Sequence, residues 1–462
     1  MAQQRVLLLG GNYVPEPTGI GKYNGEMMAW LAEQGYDCAV ITSYPYYPHW
    51  KRQHPYQQKG YWYSNEDLVT GDSSIRVYRC PHYIPENPSG LKRIISDFSF
   101  FFSALIRVFF LFFTKKYDVV IAVVPPFQLG LLGLLYKWVK GAKFIYHIQD
   151  LQIDAAKELK MIKSKWLLGF MFYLEKFILC RADYVSSISE GMITKIIDRC
   201  NKPVIFFPNW VDTETFFPVN TKLNLKKKFG VSPEKKVVLY SGAIGEKQGL
   251  ESILHAAEEL RHHDIQFIIC GSGPYKEKLS RHVTRMKLNN VRFMPLQPKE
   301  DFNDFLNMAD LHLVLQKANA TDLVMPSKLT TILSVGGLAL VTAARKTSLY
   351  NIVARHDMGL LVEPENQVAL TDMILSAFQH SYASIQTNAR KFAKEFLTLD
   401  NVIRKFMLDI NSGEILKPAI SIIVTKSAES APVSANKTVP ENKAAPENKA
   451  ALENKAVPES TI

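Results

Sequence analysis

The segment from residue 9 to residue 25, LGGNYVPEPTGIGKYNG, places a loop rich in proline and glycine between a strand and a helix. The preceding VLLLG is short and apolar, as buried strands are, and the following EMMAWLAEQG is typical of a helix that ends at Gly35. Gly19 and Gly21 let the backbone come close to a ligand at the start of this helix, where unpaired N–H groups favour an anion. The pattern therefore predicts a domain that binds a phosphate-containing ligand beside these two glycines.

Dinucleotide-binding oxidoreductases also begin with a strand, a glycine loop and a helix, but the rest of their pattern is weak here. Their fingerprint has closely spaced glycines at the strand end and an acidic residue about 20 residues further on, where the second strand ends. In this chain eight residues separate Gly10 from Gly19, and the second strand, CAVITSY, carries Thr42 and Ser43 near its end instead of an acid. The sequence therefore disfavours a dinucleotide cofactor.

Length and composition limit the class of protein. A chain of 462 residues with 47% hydrophobic residues is too long for one core and fits two domains. The net charge of +11 suits nucleic acid, an anionic membrane surface or a phosphorylated substrate. No nucleic-acid-binding motif occurs, so we expect no nucleic acid partner. The five scattered cysteines lack metal-ligand spacing, and the N-terminus lacks a secretory signal pattern, so we expect a cytoplasmic protein.

Strand-like runs alternate with helical stretches along most of the chain, which is typical of parallel sheets covered by helices on both faces. One series spans residues 1–207 and a second spans 219–395, with PNWVDTETFFP at 208–218 as the linker. The pattern predicts an α/β protein of two doubly wound, Rossmann-like domains that face each other across a cleft. Residues 396–426 are expected to cross back to the first domain as a helix and an extension. The repetitive tail, 427–462, is predicted to be disordered.

The most apolar stretch of the chain is FSFFFSALIRVFFLFF, at residues 98–113. Its sixteen residues are fewer than the roughly 20 that span a bilayer, and the basic pairs Lys92–Arg93 and Lys115–Lys116 flank it. Two interpretations are open at this stage. The stretch is either a core helix of the first domain or a helix that lies in the interface of an anionic membrane.

Short motifs occur in order across both predicted domains: PEPTGIGKY (15–23), PYYPHW (45–50), YHIQD (146–150), PNWVD (208–212), YSGAIGEKQGLE (240–251), GSGP (271–274) and DLVMPSKL (322–329). With these motifs the chain resembles the GT-B glycosyltransferases of the family 4 type over roughly residues 5–412, and most of all those of colanic acid biosynthesis. The resemblance implies that a sugar is transferred, with retention at its anomeric carbon, from a nucleotide-sugar donor to a lipid-linked saccharide acceptor. It also implies no essential metal and an enzyme at the inner face of the cytoplasmic membrane.

Without a metal, the leaving diphosphate of the donor must be neutralised by cations and backbone amides. The chain contains no Asp-x-Asp pair that would hold a divalent ion. Lys247, with the loop amides of Gly242 and Gly245, and Lys328, with Ser327 beside it, are the residues that the resemblance places at the diphosphate. The alternative is that Lys328 is a solvated residue and that Ser327 is only the N-cap of its helix.

The family has a pair of glutamates eight residues apart near the donor, and this chain departs from that pattern. Thr331 stands where the second glutamate is expected, and Asp322 lies near the position of the first. We carry the sugar contact over to Asp322 and leave the ribose contact unassigned. The departure keeps open the alternative of a non-catalytic protein that binds nucleotide sugars.

His147 and Asp150 end an apolar strand of the first domain and are the predicted catalytic residues. In the family a histidine or an acid here faces the donor sugar and the acceptor. An acid could take the proton of the acceptor hydroxyl as a general base. The alternative is that Asp150 only caps the helix that follows it.

Overall fold

The computed structural model describes residues 3–16, 19–158, 162, 164–318, 326–345 and 347–412. Asp322, the extension after residue 412 and the repetitive tail lie outside the described residues, and Lys247 is described by its backbone alone. All the described residues belong to one structural unit, residues 1–416.

The first sheet has eight strands, in the order β3-β4-β2-β1-β5-β6-β7-β8. These are Arg5–Gly10 (β1), Asp37–Ser43 (β2), Ser64–Thr70 (β3), Ser73–Cys80 (β4), Val119–Val124 (β5), Lys143–Ile148 (β6), Tyr184–Ser187 (β7) and Ile205–Phe206 (β8). Neighbouring strands are parallel, so that Leu8 of β1 lies beside Val40 on one side and Ile121 on the other, but the edge strand β3 runs antiparallel to β4.

Helices cover both faces of this sheet. They are Gly19–Glu33 (α1), Gly90–Leu111 (α2), Leu129–Lys140 (α3), Gln152–Glu158 (α4), Lys165–Arg181 (α5) and Glu190–Cys200 (α6). Helices α2, α3, α5 and α6 bury apolar side chains against the face that carries Leu7, and α1 covers the face that carries Leu8. Because both faces are covered, the inner strands are continuous apolar runs, which is why the sequence reveals them.

The second sheet has six parallel strands, in the order β11-β10-β9-β12-β13-β14. These are Lys236–Ser241 (β9), Ile265–Cys270 (β10), Val291–Met294 (β11), Leu311–Val314 (β12), Ala339–Thr342 (β13) and Leu360–Val362 (β14). The helices are Lys222–Lys228 (α7), Glu251–Glu259 (α8), Lys276–Arg285 (α9), Lys299–Asn307 (α10), Ser327–Ser334 (α11), Ser348–His356 (α12), Gln367–Gln379 (α13), Ala383–Phe396 (α14) and Leu399–Ser412 (α15), with a 3-10 turn at Glu246–Gln248. The predicted α/β class of two doubly wound domains is confirmed.

The last helix, α15, packs on the first sheet and not on the second. Phe406 stacks on Phe207 with 3.9 Å between ring centroids, and Ile403 and Ile410 are buried beside α1. The linker is held at the same place, because the Trp210 indole N–H donates to Glu26 at 2.7 Å. The two ends of the second domain are therefore both anchored on the first.

Each sheet has one point where the strand order reverses, and ligands of doubly wound folds bind at the carboxyl ends of the strands there. In the first sheet this point lies between β1 and β5, and in the second it lies between β9 and β12. A ligand-binding site is therefore expected at the loops that follow β1, β5, β9 and β12.

The apolar stretch at 98–113 forms most of α2, which begins earlier, at Gly90, and is 22 residues long. One face of the helix packs into the core through Phe100, Ala104 and Val108. The opposite face is exposed and carries Leu91, Ile95, Phe98, Phe102, Ile106 and Phe109, and Phe113, just after the helix, is exposed as well. These residues form the outer stripe of α2. The core interpretation is therefore right for one face of the helix and leaves the other face unexplained.

Candidate functional site

The loop after β9 is built from glycines and is held against the loop after β10. Gly242 and Gly271 have φ values of +152° and +150°, which side chains rarely adopt. The Ile244 N–H donates to the carbonyl of Ser272 at 2.9 Å, and a Cβ on Gly271 or Gly273 would collide with the backbone of the first loop. Gly271 and Gly273 are thus site residues that the sequence analysis missed, although the GSGP motif contains them.

Lys328 lies in the first turn of α11 and points at this glycine loop. A Cβ on Gly242 would lie 2.9 Å from Lys328 Nζ, and Nζ lies 3.8 Å from the centroid of the Tyr240 ring. Among the described residues, no carboxylate forms an ion pair with Lys328. Burial lowers the pKa of Lys328 to about 7. The arrangement is a partly buried cation beside a glycine loop, and an anion that binds there would stabilise its charged form.

Ser327 and Gly245 lie at the starts of α11 and of the 3-10 turn. The N-cap of α11 is Pro326, without a side-chain cap bond, so the interpretation of Ser327 as the N-cap is wrong. Ser327 is exposed, and its carbonyl accepts a hydrogen bond from Thr330 Oγ1 at 2.7 Å. Gly245 is extended and precedes the 3-10 turn that contains Lys247. The backbone therefore places Lys247 directly after the glycine loop.

Lys317 is a further cation near this loop. It follows β12 at the point of strand reversal, and a Cβ on Gly249 would lie 3.3 Å from Lys317 Cγ. Its charge also acts on Glu251. Burial by itself would raise the pKa of this carboxyl group, but hydrogen bonds, first of all the one from Tyr275, together with the nearby lysine charges lower the pKa overall. The position after an apolar strand was the only signal in the sequence that could have identified Lys317.

The loop after β1 is organised by a buried carboxylate, Glu16, which the sequence analysis did not select. Glu16 Oε1 accepts hydrogen bonds from the backbone N–H groups of Tyr46 and Tyr47, both at 2.9 Å. A Cβ on Gly21 would lie 2.7 Å from Glu16 Oε2, so the absence of a side chain at Gly21 makes room for this carboxylate. Gly19 has a φ of +65° and more open surroundings, since a Cβ built on it would meet only the Tyr47 ring, at 3.8 Å.

The structure places the two predicted catalytic residues in different surroundings. His147 is only 2% exposed, because the alternation of β6 directs it to the face where its ring packs on Phe207. Its Nδ1 lies 2.9 Å from Ser186 Oγ, and burial lowers the pKa of His147 to about 3, so the ring is neutral. Asp150 lies beyond the end of the strand and is partly exposed. His147 is therefore enclosed within the first domain, whereas Asp150 reaches the surface just after β6.

The fold and the site define a class. Two doubly wound domains in one chain, with a glycine loop and a cation at the strand reversal of the second, form the architecture of a GT-B glycosyltransferase. Within the part of the chain that the structure describes, no group of three or more His, Cys, Asp or Glu side chains could hold a metal ion.

Comparison with known proteins identifies the family. Residues 18–210 match the model of the glycosyl transferase 4-like domain, and residues 221–395 match that of the glycosyl transferases group 1. Over 420 residues the chain is 39% identical to an Escherichia coli (strain K12) protein named as a colanic acid biosynthesis glycosyl transferase, WcaI; the match covers 88% of this chain and 99% of that protein. The chain therefore belongs to the GT-B glycosyltransferases of the family 4 type, and it is a glycosyltransferase.

Solved structures agree on the fold. Sucrose-phosphate synthase from Thermosynechococcus elongatus matches with a TM-score of 0.70 at 14% identity, over 89% of this chain and 99% of that one. Anabaena HepE, solved in complex with UDP-glucose, matches with a TM-score of 0.63 at 14% identity, over 89% of this chain and 100% of that one.

Proposed function

We propose that the protein transfers a sugar from a nucleotide-sugar donor, with retention at the anomeric carbon, to a lipid-linked saccharide of a colanic-acid-like exopolysaccharide. The name of the Escherichia coli relative supports the pathway, and the bound UDP-glucose of Anabaena HepE supports the class of donor. Lys328, the half-buried cation beside the glycine loop, is the observation that carries the proposal. Its position suits a group that gains negative charge as the sugar leaves.

The roles of the other residues follow from this proposal. Lys247 and the amides around Gly242 and Gly245 share the diphosphate with Lys328, and no metal is needed for the leaving group. Asp322 contacts the donor sugar. Asp150 accepts the proton of the acceptor hydroxyl or orients that hydroxyl.

A thermal-shift screen tests the class of donor. Nucleoside diphosphates and their sugars, with uridine, guanosine and thymidine as bases, are added to the full chain, and nicotinamide dinucleotides serve as the control. A ligand at about 100 times its Kd adds roughly 2.7 kcal/mol to the free energy of unfolding, so one nucleotide sugar should raise the melting temperature clearly. That ligand should then release free nucleotide slowly in the absence of an acceptor. A chain that no nucleotide sugar stabilises would contradict the proposal.

We also propose that the enzyme lies at the inner face of the cytoplasmic membrane. Of the described helices, α2 alone is long and apolar enough to cross a bilayer, and 28% of its most apolar window is buried. Because α2 packs on the sheet, it suits an interfacial position better than a crossing. Helices α3 and α5 cover the same face of the sheet. We call the exposed apolar side chains of α2, α3 and α5 the aromatic face. Besides the outer stripe of α2, it contains Trp138 and Val139 of α3 and Trp166, Phe170 and Tyr173 of α5.

Basic side chains accompany the aromatic face. Lys115 and Lys116 follow the end of α2, Lys165 begins α5, and all three are exposed. An exposed apolar surface that basic residues border fits an anionic lipid surface, to which each such residue contributes about 1 kcal/mol at low salt.

Vesicle co-sedimentation tests this location. The full chain should bind vesicles that contain anionic phospholipid, bind neutral vesicles less, and dissociate as salt rises. The variant Phe109→Ser/Phe113→Ser should bind less, because it removes two exposed apolar side chains. These side chains are 54% and 76% exposed, so their replacement should leave the core intact. The control Leu223→Ser/Leu296→Ser removes two exposed apolar side chains of the second domain and should bind as the wild type does. Equal binding by both variants, or no binding by the wild type, would refute the proposed location.

A further inference from the structure

Asp97 is a carboxylate that the proposed mechanism does not use. It lies near the start of α2, which follows β4, so it is at the same edge of the first sheet as the loops after β1, β5 and β6. Asp97 is only partly exposed. Its environment therefore needs an explanation, because carboxylates in such surroundings are normally paired.

The protein holds Asp97 with a neutral donor. Gln152, at the start of α4, donates from Nε2 to Asp97 Oδ2 at 2.7 Å. The Oε1 atom of Gln152 accepts the backbone N–H of Phe127, at 3.0 Å, so the amide has to present its N–H₂ group to Asp97. Three segments that are far apart in sequence are thus joined to fix one carboxyl group.

No cation pairs with Asp97 among the described residues. Arg93, one turn earlier in α2, is the nearest source of positive charge, but its guanidinium lies over the Trp50 ring, 5.1 Å from the centroid. The atom Asp97 Oδ1 likewise has no hydrogen-bond partner in the described structure. Burial raises the pKa of Asp97 to about 7, so near neutral pH the group exists in both its ionised and its protonated form.

The wall beside Asp97 is aromatic. Tyr46, whose pKa is raised mainly by burial and also by the charge of Asp97, contacts Trp50 and His82 with ring centroids 5.4 and 4.9 Å away. Both ring nitrogens of His82 are buried without a partner among the described residues, and burial lowers the pKa of His82 to about 3. Aromatic walls with a few fixed polar groups are typical of sites for small organic ligands.

We propose that Asp97 binds a hydroxyl group of the saccharide acceptor through its free oxygen, with Gln152 as the residue that positions it. The inference rests on the proposed function, because it assigns the acceptor side of the same reaction. The next residue, Phe98, belongs to the exposed stripe of α2, so an acceptor with an apolar tail could meet the aromatic face and Asp97 together. A hydrogen bond to a charged group of this kind discriminates strongly between a ligand that has the hydroxyl and one that lacks it.

The probes for this inference are octyl β-glycosides of glucose, galactose and mannose, below their micelle concentration, which combine a sugar with an apolar tail. Their affinities for the full chain are measured by saturation-transfer difference NMR. Asp97→Asn should raise the Kd of the glycosides that bind by about tenfold or more, the loss expected for a hydrogen bond to a charged group. The control Asp72→Asn changes an exposed carboxylate in the turn between β3 and β4 and should leave the Kd unaltered.

Two further measurements separate the possible failures. The thermal shift that the nucleotide sugar causes should be the same in Asp97→Asn and in the wild type, because the donor binds the second domain. If the donor causes no shift in either protein, the proposed function fails. If the donor binds normally but Asp97→Asn binds the glycosides as the wild type does, or if the wild type binds none of them, the assignment of Asp97 fails.

The variant Asp97→Asn is expected to fold. A raised pKa means that the ionised form of Asp97 costs stability, fully so above about pH 7 and not at all below the ordinary pKa of an aspartate. The groups that face it are Arg93 of the same helix, Tyr46 of the loop after β2 and the neutral Gln152. Asp97→Asn should therefore melt at a higher temperature than the wild type at pH 8. A lower melting temperature at pH 8 would instead show that the carboxylate is a structural group and would overturn the inference.

Discussion

Replacing Lys328 with methionine is expected to lower the rate of sugar transfer by about 30- to 900-fold, equivalent to roughly 2–4 kcal/mol of lost electrostatic stabilisation in the transition state. Lys328 is a half-buried cation beside the glycine loop, and methionine keeps most of its apolar length. The rate is measured under donor saturation and at low donor concentration. Lys247→Ala should cause a loss in the same range. Lys391→Met, in an exposed ion pair on α14, is the matched control and should transfer normally.

A second readout distinguishes a diphosphate contact from a packing role. Because burial lowers the pKa of Lys328 to about 7, an anion that binds beside it should be accompanied by the uptake of a proton above that pH. The affinity for a nucleotide sugar should then fall by up to about tenfold per pH unit above pH 7, until the pKa of the bound state is reached. Isothermal titration in buffers of different ionisation enthalpy measures the uptake, which Lys328→Met should abolish. Unchanged rate and unchanged proton uptake in the variant would rule out the assigned role.

The stability of Lys328→Met should not suffer. A lysine whose pKa is lowered on folding costs stability below its ordinary pKa of about 10.5, and the cost is complete below about pH 7. Methionine removes that cost, so the variant should unfold at the same or a higher denaturant concentration at pH 7. An inactive but stable variant thus assigns the loss of rate to chemistry and not to folding.

Asp150→Asn is expected to lower turnover by about 10²- to 10⁴-fold, the range of a lost general base, with little change in melting temperature. The substitution preserves size and removes the charge. Asp150 lies just beyond β6 and before α4, and it keeps part of its surface exposed. The control Asp372→Asn removes an exposed carboxylate from α13 and should leave turnover unchanged.

The alternative role of Asp150 predicts the opposite pattern. If Asp150 only supports the start of α4, Asp150→Asn should stay active, and Asp150→Ala should lower the free energy of unfolding by about 1 kcal/mol. Transfer rates and denaturant unfolding, measured on both variants, decide between the two roles. The neutral, buried His147 is not expected to replace Asp150 as the proton acceptor.

The strands of both sheets were predictable wherever both of their faces are buried. The segments VLLLG and VVLY, at the centres of β1 and β9, are continuous apolar runs because helices cover each side of both sheets. The edge strand β3, SNEDLVT, was missed because its side chains alternate between partly and fully exposed and are largely polar. Strand β14 was missed because it has only three residues. Edge and short strands take their conformation from the neighbour with which they pair, which local composition does not encode.

Part of the proposed donor site could be selected from the sequence, because its residues are neighbours in the chain. The glycines after β9 and the lysine of PSKL occur in ordered motifs, and each lies at the start or end of a strand or helix. The chain alone therefore establishes the class of fold and the family, and it predicts which loop of the second domain would receive the diphosphate. These depend on apolar periodicity and on backbone conformations that particular residue types favour over short distances.

Which side chains are buried, and which distant residues contact each other, could be determined only from the folded structure. Glu16 meets the N–H of Tyr46 across 30 residues, and Gln152 meets Asp97 across 55. Such contacts depend on how loops from different strands converge at one edge of a sheet. The same is true of His147, which packing turns inward, and of α2, whose apolar stretch at 98–113 does not reveal which side faces the core. Protonation and exposure depend on the surrounding dielectric and on charges that arrive from distant segments, and these exist only once the chain is packed.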